Sequence, residues 1–172
     1  MPSKNRSVEE KLKVLHLVLP EPIKPAPDMK IPPSWIRVWG NRAFISGHGP
    51  QNPDGSVAGP FGKVGSSDVT EEQACQAARL ATLSILGTLK RELGSLDRVT
   101  AWLMVSGFVN AAPGFTQTTA VINSCSELIL ELYGPEVGQH ARTAMGVATT
   151  PFGLPVVIAA EVEIATDSDS SL

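Results

Sequence analysis

The chain has 172 residues, 42% of them apolar, which is enough for one domain with a core of its own. Its 14 basic and 17 acidic residues give a formal net charge of −3, with no Lys/Arg run to follow a phosphate backbone, so no nucleic-acid partner is expected. No apolar stretch approaches the roughly 20 residues of a membrane span and no signal-peptide pattern opens the chain, so no membrane contact is expected and a cytoplasmic address follows by default.

Residues 7–17 begin with Ser7-x-x-Glu10, a reciprocal capping pattern, and place Val8, Leu12 and Leu15, with Val18 beyond, on one helical face. Six prolines among the fourteen residues from Pro20 to Pro33 forbid a helix or a central strand there. The segment is an extended connector, expected on the domain surface. Residues 35–39 and 42–46 are strand-like runs around a Gly40-Asn41 turn, which predicts a hairpin. Asn52-Pro53-Asp54-Gly55 is a turn, and the Gly-rich loop through Gly65 suggests a close backbone approach.

The strongest helical pattern spans 70–93, with a Thr70-x-x-Gln73 cap, small or apolar residues from Ala74 through Leu93 at helical spacing, and Gly94 as its terminator. Residues 99–109 are apolar in and out of register, which predicts a strand buried on both faces. A second helix is expected over about 115–133, stopped by Gly134-Pro135. Strands follow at 143–149 and 156–165 around a Pro151-Phe152-Gly153-Leu154-Pro155 turn, and the polar tail 167–172 is expected to be disordered. The divisions are therefore 1–34 (leader helix and connector), 35–166 (α+β domain) and 167–172 (tail). Two long helices on one face of a mixed sheet leave the other face to be covered, for which an oligomer with facing sheets is the expectation.

Cys75 and Cys125 are fifty residues apart in helical segments and read as structural thiols. His16, His48 and His140 have no metal-ligand spacing, so neither a metal nor another cofactor is expected.

Five ordered motifs carry a family resemblance: Ile45-Ser46-Gly47-His48-Gly49-Pro50, Gly62-Lys63-Val64-Gly65, Leu96-Asp97-Arg98-Val99, Gly107-Phe108-Val109-Asn110 and His140-Ala141-Arg142-Thr143-Ala144. They resemble the signatures of the Rid family, also called the YjgF or L-PSP endoribonuclease group, over residues 35–165. The leader helix and connector resemble an extension found in one branch. The resemblance implies a chorismate-mutase-like homotrimer with ligand clefts between subunits. It also implies hydrolysis of enamine or imine acids to keto acids and ammonia.

Arg142 precedes a strand, and its guanidinium fork suits a carboxylate, so it is the expected substrate anchor. Ser46 and Gly47 end a strand where a hydroxyl, an amide and the absence of a Cβ admit a ligand. The resemblance adds Asn123 as a cleft-lining amide and the backbone of Ala144, which stands where many relatives have Cys. It also places a proton-transferring glutamate fifteen residues after the arginine, and Val157 stands there. Glu161 shares the strand face of Val157, but lies four residues, roughly 13 Å, further along. His48 and His140 are the other candidates for acid/base work, since imidazole titrates near neutral pH. The catalytic candidates are therefore His48, His140 and Glu161.

The leading expectation is an enamine/imine deaminase acting on a small carboxylate substrate. The alternatives are a non-catalytic metabolite-binding trimer, supported by Val157, and a specialised biosynthetic enzyme on the same fold. Ribonuclease action is disfavoured, since the acidic chain lacks a basic groove with stacking aromatics.

Overall fold

In the computed structural model, which describes residues 6–25 and 27–166, the elements follow the expected order. They are α1 (Val8–Val14), β1 (Ile36–Trp39), β2 (Arg42–His48), α2 (Glu71–Leu93), β3 (Val99–Asn110), α3 (Thr118–Gly138), β4 (Ala141–Val147) and β5 (Val156–Ile164). The tail expected to be disordered lies outside the described residues. Both capping boxes form: Ser7 with Glu10, and Thr70 with Gln73. Gly94 closes α2 at φ +80°, a conformation that costs glycine little.

The five strands form one mixed sheet in the order β1-β2-β5-β3-β4, parallel only between β3 and β4. The two long helices cover one face. Along β5 the burial alternates: Val156, Ile158, Ala160, Val162 and Ile164 are buried beneath the helices, while Val157, Ala159, Glu161 and Glu163 are partly exposed on the open face. β3 departs from the expectation of burial on both faces. Trp102, Val105, Gly107 and Val109 are buried, but Met104, Ser106 and Phe108 stay partly exposed, because the helices cover one side of the sheet only.

The second long helix runs past its expected stop. Gly134, at φ +75°, interrupts α3, and Pro135 then begins a further short turn, a position that needs no amide donor. Gly107 lets α3 settle onto β3, since a Cβ there would lie 2.6 Å from Ile122 Cδ1. Gly107→Ala should therefore lower stability by about 1–3 kcal/mol, read as a lower urea midpoint. The additional substitution Ile122→Val should recover part of that loss.

The leader is tied down by polar contacts as well as by the buried Val8 and Leu12. Glu9 accepts from Lys90 Nζ at 2.8 Å and from the Leu96 amide at 2.9 Å, while Asp97 accepts from the Val8 amide. Burial pushes the Glu9 carboxyl upward, but these donors outweigh it and leave its pKa lowered. The Pro-rich connector is also fastened. Glu21 N–H donates to Pro53 O, Lys24 N–H to Gly55 O, and Arg91 Nη1 to Pro20 O. The close approach expected in the Gly-rich region is in part to this connector, because a Cβ on Gly55 would lie 2.3 Å from Pro22 O.

Candidate functional site

Arg142 opens the sheet-edge strand β4 and points to the helix side, where α3 receives it. Its Nη1 donates to Asn123 Oδ1 at 2.8 Å and to Ser126 Oγ at 3.1 Å. The direction of the remaining bonds follows from donor logic. His140 Nδ1 lies 2.6 Å from Gly138 O, which can only accept, so Nδ1 carries a proton, and in the neutral imidazole Nε2 accepts from Ser126 Oγ at 2.9 Å. Ser126 then accepts from Arg142. The chain runs from guanidinium to hydroxyl to imidazole to carbonyl, and it holds the Arg142 fork without a carboxylate.

The ion pairs among the described residues are Lys24–Asp54, Arg42–Glu161, Arg79–Glu131 and Lys90–Glu9. Arg142 is in none of them. Its charge is oriented without being neutralised, the condition in which a guanidinium is ready for an external carboxylate. Ala144, two residues on, faces the same helix, and its carbonyl accepts from Thr118 Oγ1 at 3.1 Å. Arg142, Asn123, Ala144 and His140 are thus brought together. Ser126 was not among the expected site residues; its signal is that it lies one helical turn beyond Asn123, at i+3.

Ser46 and Gly47 form a separate group. Ile45 and His48 are both buried although three residues apart, because a register shift between them turns both toward the helices. Gly47 lies against Val157: a Cβ on it would sit 2.8 Å from Val157 Cγ1. Ser46 has both donors engaged, its N–H to Trp35 O at 3.0 Å and its O–H to Ser34 O at 2.8 Å, so it offers a lone pair where a donor was expected. Beside this pair is a cavity of about 300 Å³, whose lining includes Trp35, Phe152, Leu154, Val157 and, from the connector, Ile23 and Ile31. The connector residues and Phe152 were not anticipated in the site, since neither an extended segment nor an isolated turn aromatic has a periodicity to place it.

The cross-strand register separates the two groups within one protomer. Arg142 pairs with Val105, Val105 with Ala160, and Ala160 with Ile45, so three strand spacings, about 14 Å, lie between Arg142 and the Ser46 end of β2. One small ligand cannot touch both groups of the same chain.

Of the remaining acid/base candidates, Glu161 sits apart from these groups and His48 adjoins Ser46 and Gly47 but turns away toward α2. Glu161 shares the open face of β5 with Val157 and is paired with Arg42 at 2.9 Å. His48 repeats the pattern of His140: Nδ1 donates to Ser46 O at 2.6 Å, Nε2 accepts from Thr88 Oγ1 at 2.9 Å, and Arg91 Nη2 donates to that hydroxyl at 3.3 Å. Burial, with a smaller push from the Arg91 charge, lowers the His48 pKa to about 4 against the donation to Ser46. This imidazole is neutral and its lone pair is occupied, which suits holding the end of β2 against α2 better than shuttling protons. Burial likewise pushes the Cys125 thiol up to about 11, away from nucleophilic use.

The His48 shift has a consequence for stability. The unfolded chain takes up this proton near pH 6.5 and the folded chain only near 4, so between those values the unfolded state binds more protons. His48 should therefore reduce stability as the pH falls, by roughly 2 kcal/mol at pH 5 relative to pH 7.5. Urea unfolding at the two pH values checks this, and His48→Gln should remove that part of the dependence.

Among the described residues, no group of three or more His, Cys, Asp or Glu side chains is arranged to hold a metal ion, and no helix is long and apolar enough to cross a membrane.

The sequence and the architecture both have relatives. Protein TCP17 of Trypanosoma cruzi is 43% identical over 126 residues, which cover 73% of this chain and 76% of that protein. The crystal structure of Atu1372 from Agrobacterium tumefaciens, a protein of unknown function, is 34% identical with a TM-score of 0.79, covering 92% of this chain and 94% of that one. A proposed endoribonuclease from Shewanella oneidensis superposes with a TM-score of 0.82 at 25% identity, covering 92% and 100%. The fold extends to the YjgF gene product of Escherichia coli, with a TM-score of 0.56 at 17% identity over 85% of this chain and 97% of that one. No family model matches the chain. The chain belongs to the YjgF/L-PSP family, the Rid proteins, with an α+β fold of one mixed sheet and helices on one face.

Proposed function

We propose that the protein binds small 2-imino or enamine carboxylates at clefts between subunits and hydrolyses them to 2-oxo acids and ammonia. The observation that carries this reading is Arg142, oriented by Asn123 and Ser126 and unpaired with any carboxylate among the described residues. A second copy of the chain supplies the other half of the site. The 14 Å between Arg142 and Ser46 in one protomer favours this arrangement, as does the open sheet face, where Phe44 and Met145 are 42% and 55% exposed. A homotrimer, the assembly implied by the family resemblance, closes three such clefts.

In the reaction, water adds its oxygen to the C=N carbon, and the nitrogen gains the protons needed to leave. The C–N bond breaks, releasing ammonia and a 2-oxo acid, with no change in oxidation state. Arg142 holds the carboxylate and fixes the reacting carbon; positioning of this kind suits a hydrolysis that is intrinsically easy. The test is ammonia release from freshly generated 2-imino acids, with the full chain at catalytic concentration. Acceleration over the buffer rate that Arg142→Ala loses supports the reading, and its absence across small and bulky imines rejects it.

One observation favours a second reading, in which the cleft binds and does not catalyse. The cavity beside Gly47 is lined by no carboxylate, and Val157 occupies the place where the family resemblance puts one. Binding of a 2-oxo acid without any turnover separates the two.

A further inference from the structure

Three features of the cavity beside Gly47 bear on what it accepts. First, its lining is apolar but for the Ser46 hydroxyl and one charged side chain, Lys30. The Ser46 O–H is already donated to Ser34 O. A ligand hydroxyl would find one side-chain acceptor there, the Ser46 oxygen, and a carboxylate one cation, the solvent-exposed Lys30, while the other side chains of the lining offer only apolar contact.

Second, the cavity is roofed by the Pro-rich connector, and the first part of that roof, around Ile23, is held in place. The bonds from Glu21 to Pro53 and from Lys24 to Gly55 fix the backbone on either side of Ile23, and Arg91 fixes Pro20. Ile31, further along the connector, stands at the cavity 55% exposed, as an apolar side chain without a protein partner over much of its surface.

Third, Phe152 is strained. It has φ +57° and ψ +18°, a left-handed conformation that is an outlier for a bulky side chain. It gains no burial in return, since it is 48% exposed. The strain places an aromatic ring at the cavity, and Gly62 N–H donates to Gly153 O at 2.7 Å to pin the turn that carries it. A strained, exposed aromatic residue at the wall of an apolar cavity is better explained by a ligand than by folding.

We infer that the connector, Phe152 and Val157 form a pocket for a bulky apolar side chain, so that the preferred substrates are 2-imino acids with branched aliphatic or aromatic side chains. This rests on the carboxylate-binding reading above and names the substrate class of that site. In this arrangement Val157 is part of the wall. The cavity volume of about 300 Å³ is at the lower end for small-ligand pockets, which suits one side chain of this kind.

The test is calorimetric titration of the full chain with 2-oxo acids, the stable products of the proposed reaction. Pyruvate is compared with 4-methyl-2-oxopentanoate and phenylpyruvate. The two bulky acids should bind on the order of tenfold to a hundredfold more tightly than pyruvate, the range a hydrophobic pocket gives for added methylene groups. Phe152→Gly relieves the backbone strain and should not lower the melting temperature, yet it should reduce this preference to about threefold or less. Ile31→Ser, at an exposed position, should act in the same direction. The inference is overturned if pyruvate binds as tightly as the bulky acids, if none of the three binds, or if both variants keep the full preference. A preference for bulky acids with no ammonia release from the matching imines leaves the pocket in place and rejects hydrolysis.

Discussion

Arg142→Ala should weaken binding of a 2-oxo acid by about 10²- to 10³-fold while leaving the fold intact. The magnitude follows from the bonds lost. Two charge-assisted hydrogen bonds from the guanidinium to a carboxylate are together worth about 3–4 kcal/mol, and each 1.4 kcal/mol is a factor of ten. The stability cost is small, because Asn123 and Ser126 lie at a partly exposed edge where water can take the place of Nη1. Arg142→Lys is the informative companion. It keeps the charge but loses the fork, and one ammonium cannot bond to Asn123, Ser126 and both carboxylate oxygens in the same geometry, so it should recover only part of the affinity. Calorimetry gives the affinities and urea unfolding the stabilities. Full affinity in Arg142→Lys would make the site a simple charge trap.

Ser126→Ala extends the same argument. It removes the hydroxyl that links Arg142 to His140 and leaves one neutral acceptor on Nη1. The loss should be near tenfold, since the guanidinium remains present but less well held.

Much of this architecture is legible in the sequence because it is set by local chemistry. The Ser7/Glu10 and Thr70/Gln73 caps are reciprocal bonds between residues three apart, and both form. The alternation along β5, which puts Val157 and Glu161 on one face, follows from a period of two. Nonlocal features escape such reading. The shift between Ile45 and His48 breaks the period and turns His48 inward to Thr88, which removes it from the acid/base candidates that best fit the geometry. Strand order places β5 and β3 between β2 and β4, and it is this order that separates Arg142 from Ser46. The connector is readable as extended, but its docking over Trp35 depends on hydrogen bonds to loop residues more than twenty-five positions away. Gly134-Pro135 illustrates a different failure: the pair interrupts a helix, yet whether the chain resumes helical geometry depends on what the following turn packs against.

Val157→Glu should raise kcat for a small imine by about 10²-fold, provided the proposed hydrolysis is the reaction. Val157 packs on the Gly47 backbone, so a longer carboxylate side chain from the same Cα extends across that glycine into the cavity. A positioned acid or base contributes about 10²- to 10⁴-fold, and a group not optimised for its place belongs at the low end. The apolar lining would raise the pKa of the new carboxyl. If it acts as a base, activity should rise with pH as that group deprotonates, a limb that the wild type lacks. Val157→Gln, with the same shape and no proton to exchange, should show neither the gain nor the limb. The gain carries a cost in recognition, because a charged wall opposes an apolar side chain: the preference for bulky 2-oxo acids should fall in the same variant. A carboxylate that raised turnover while leaving that preference unchanged would place Val157 beside the reacting carbon but outside the side-chain pocket. The coupled change is the outcome expected if the position Val157 occupies serves both.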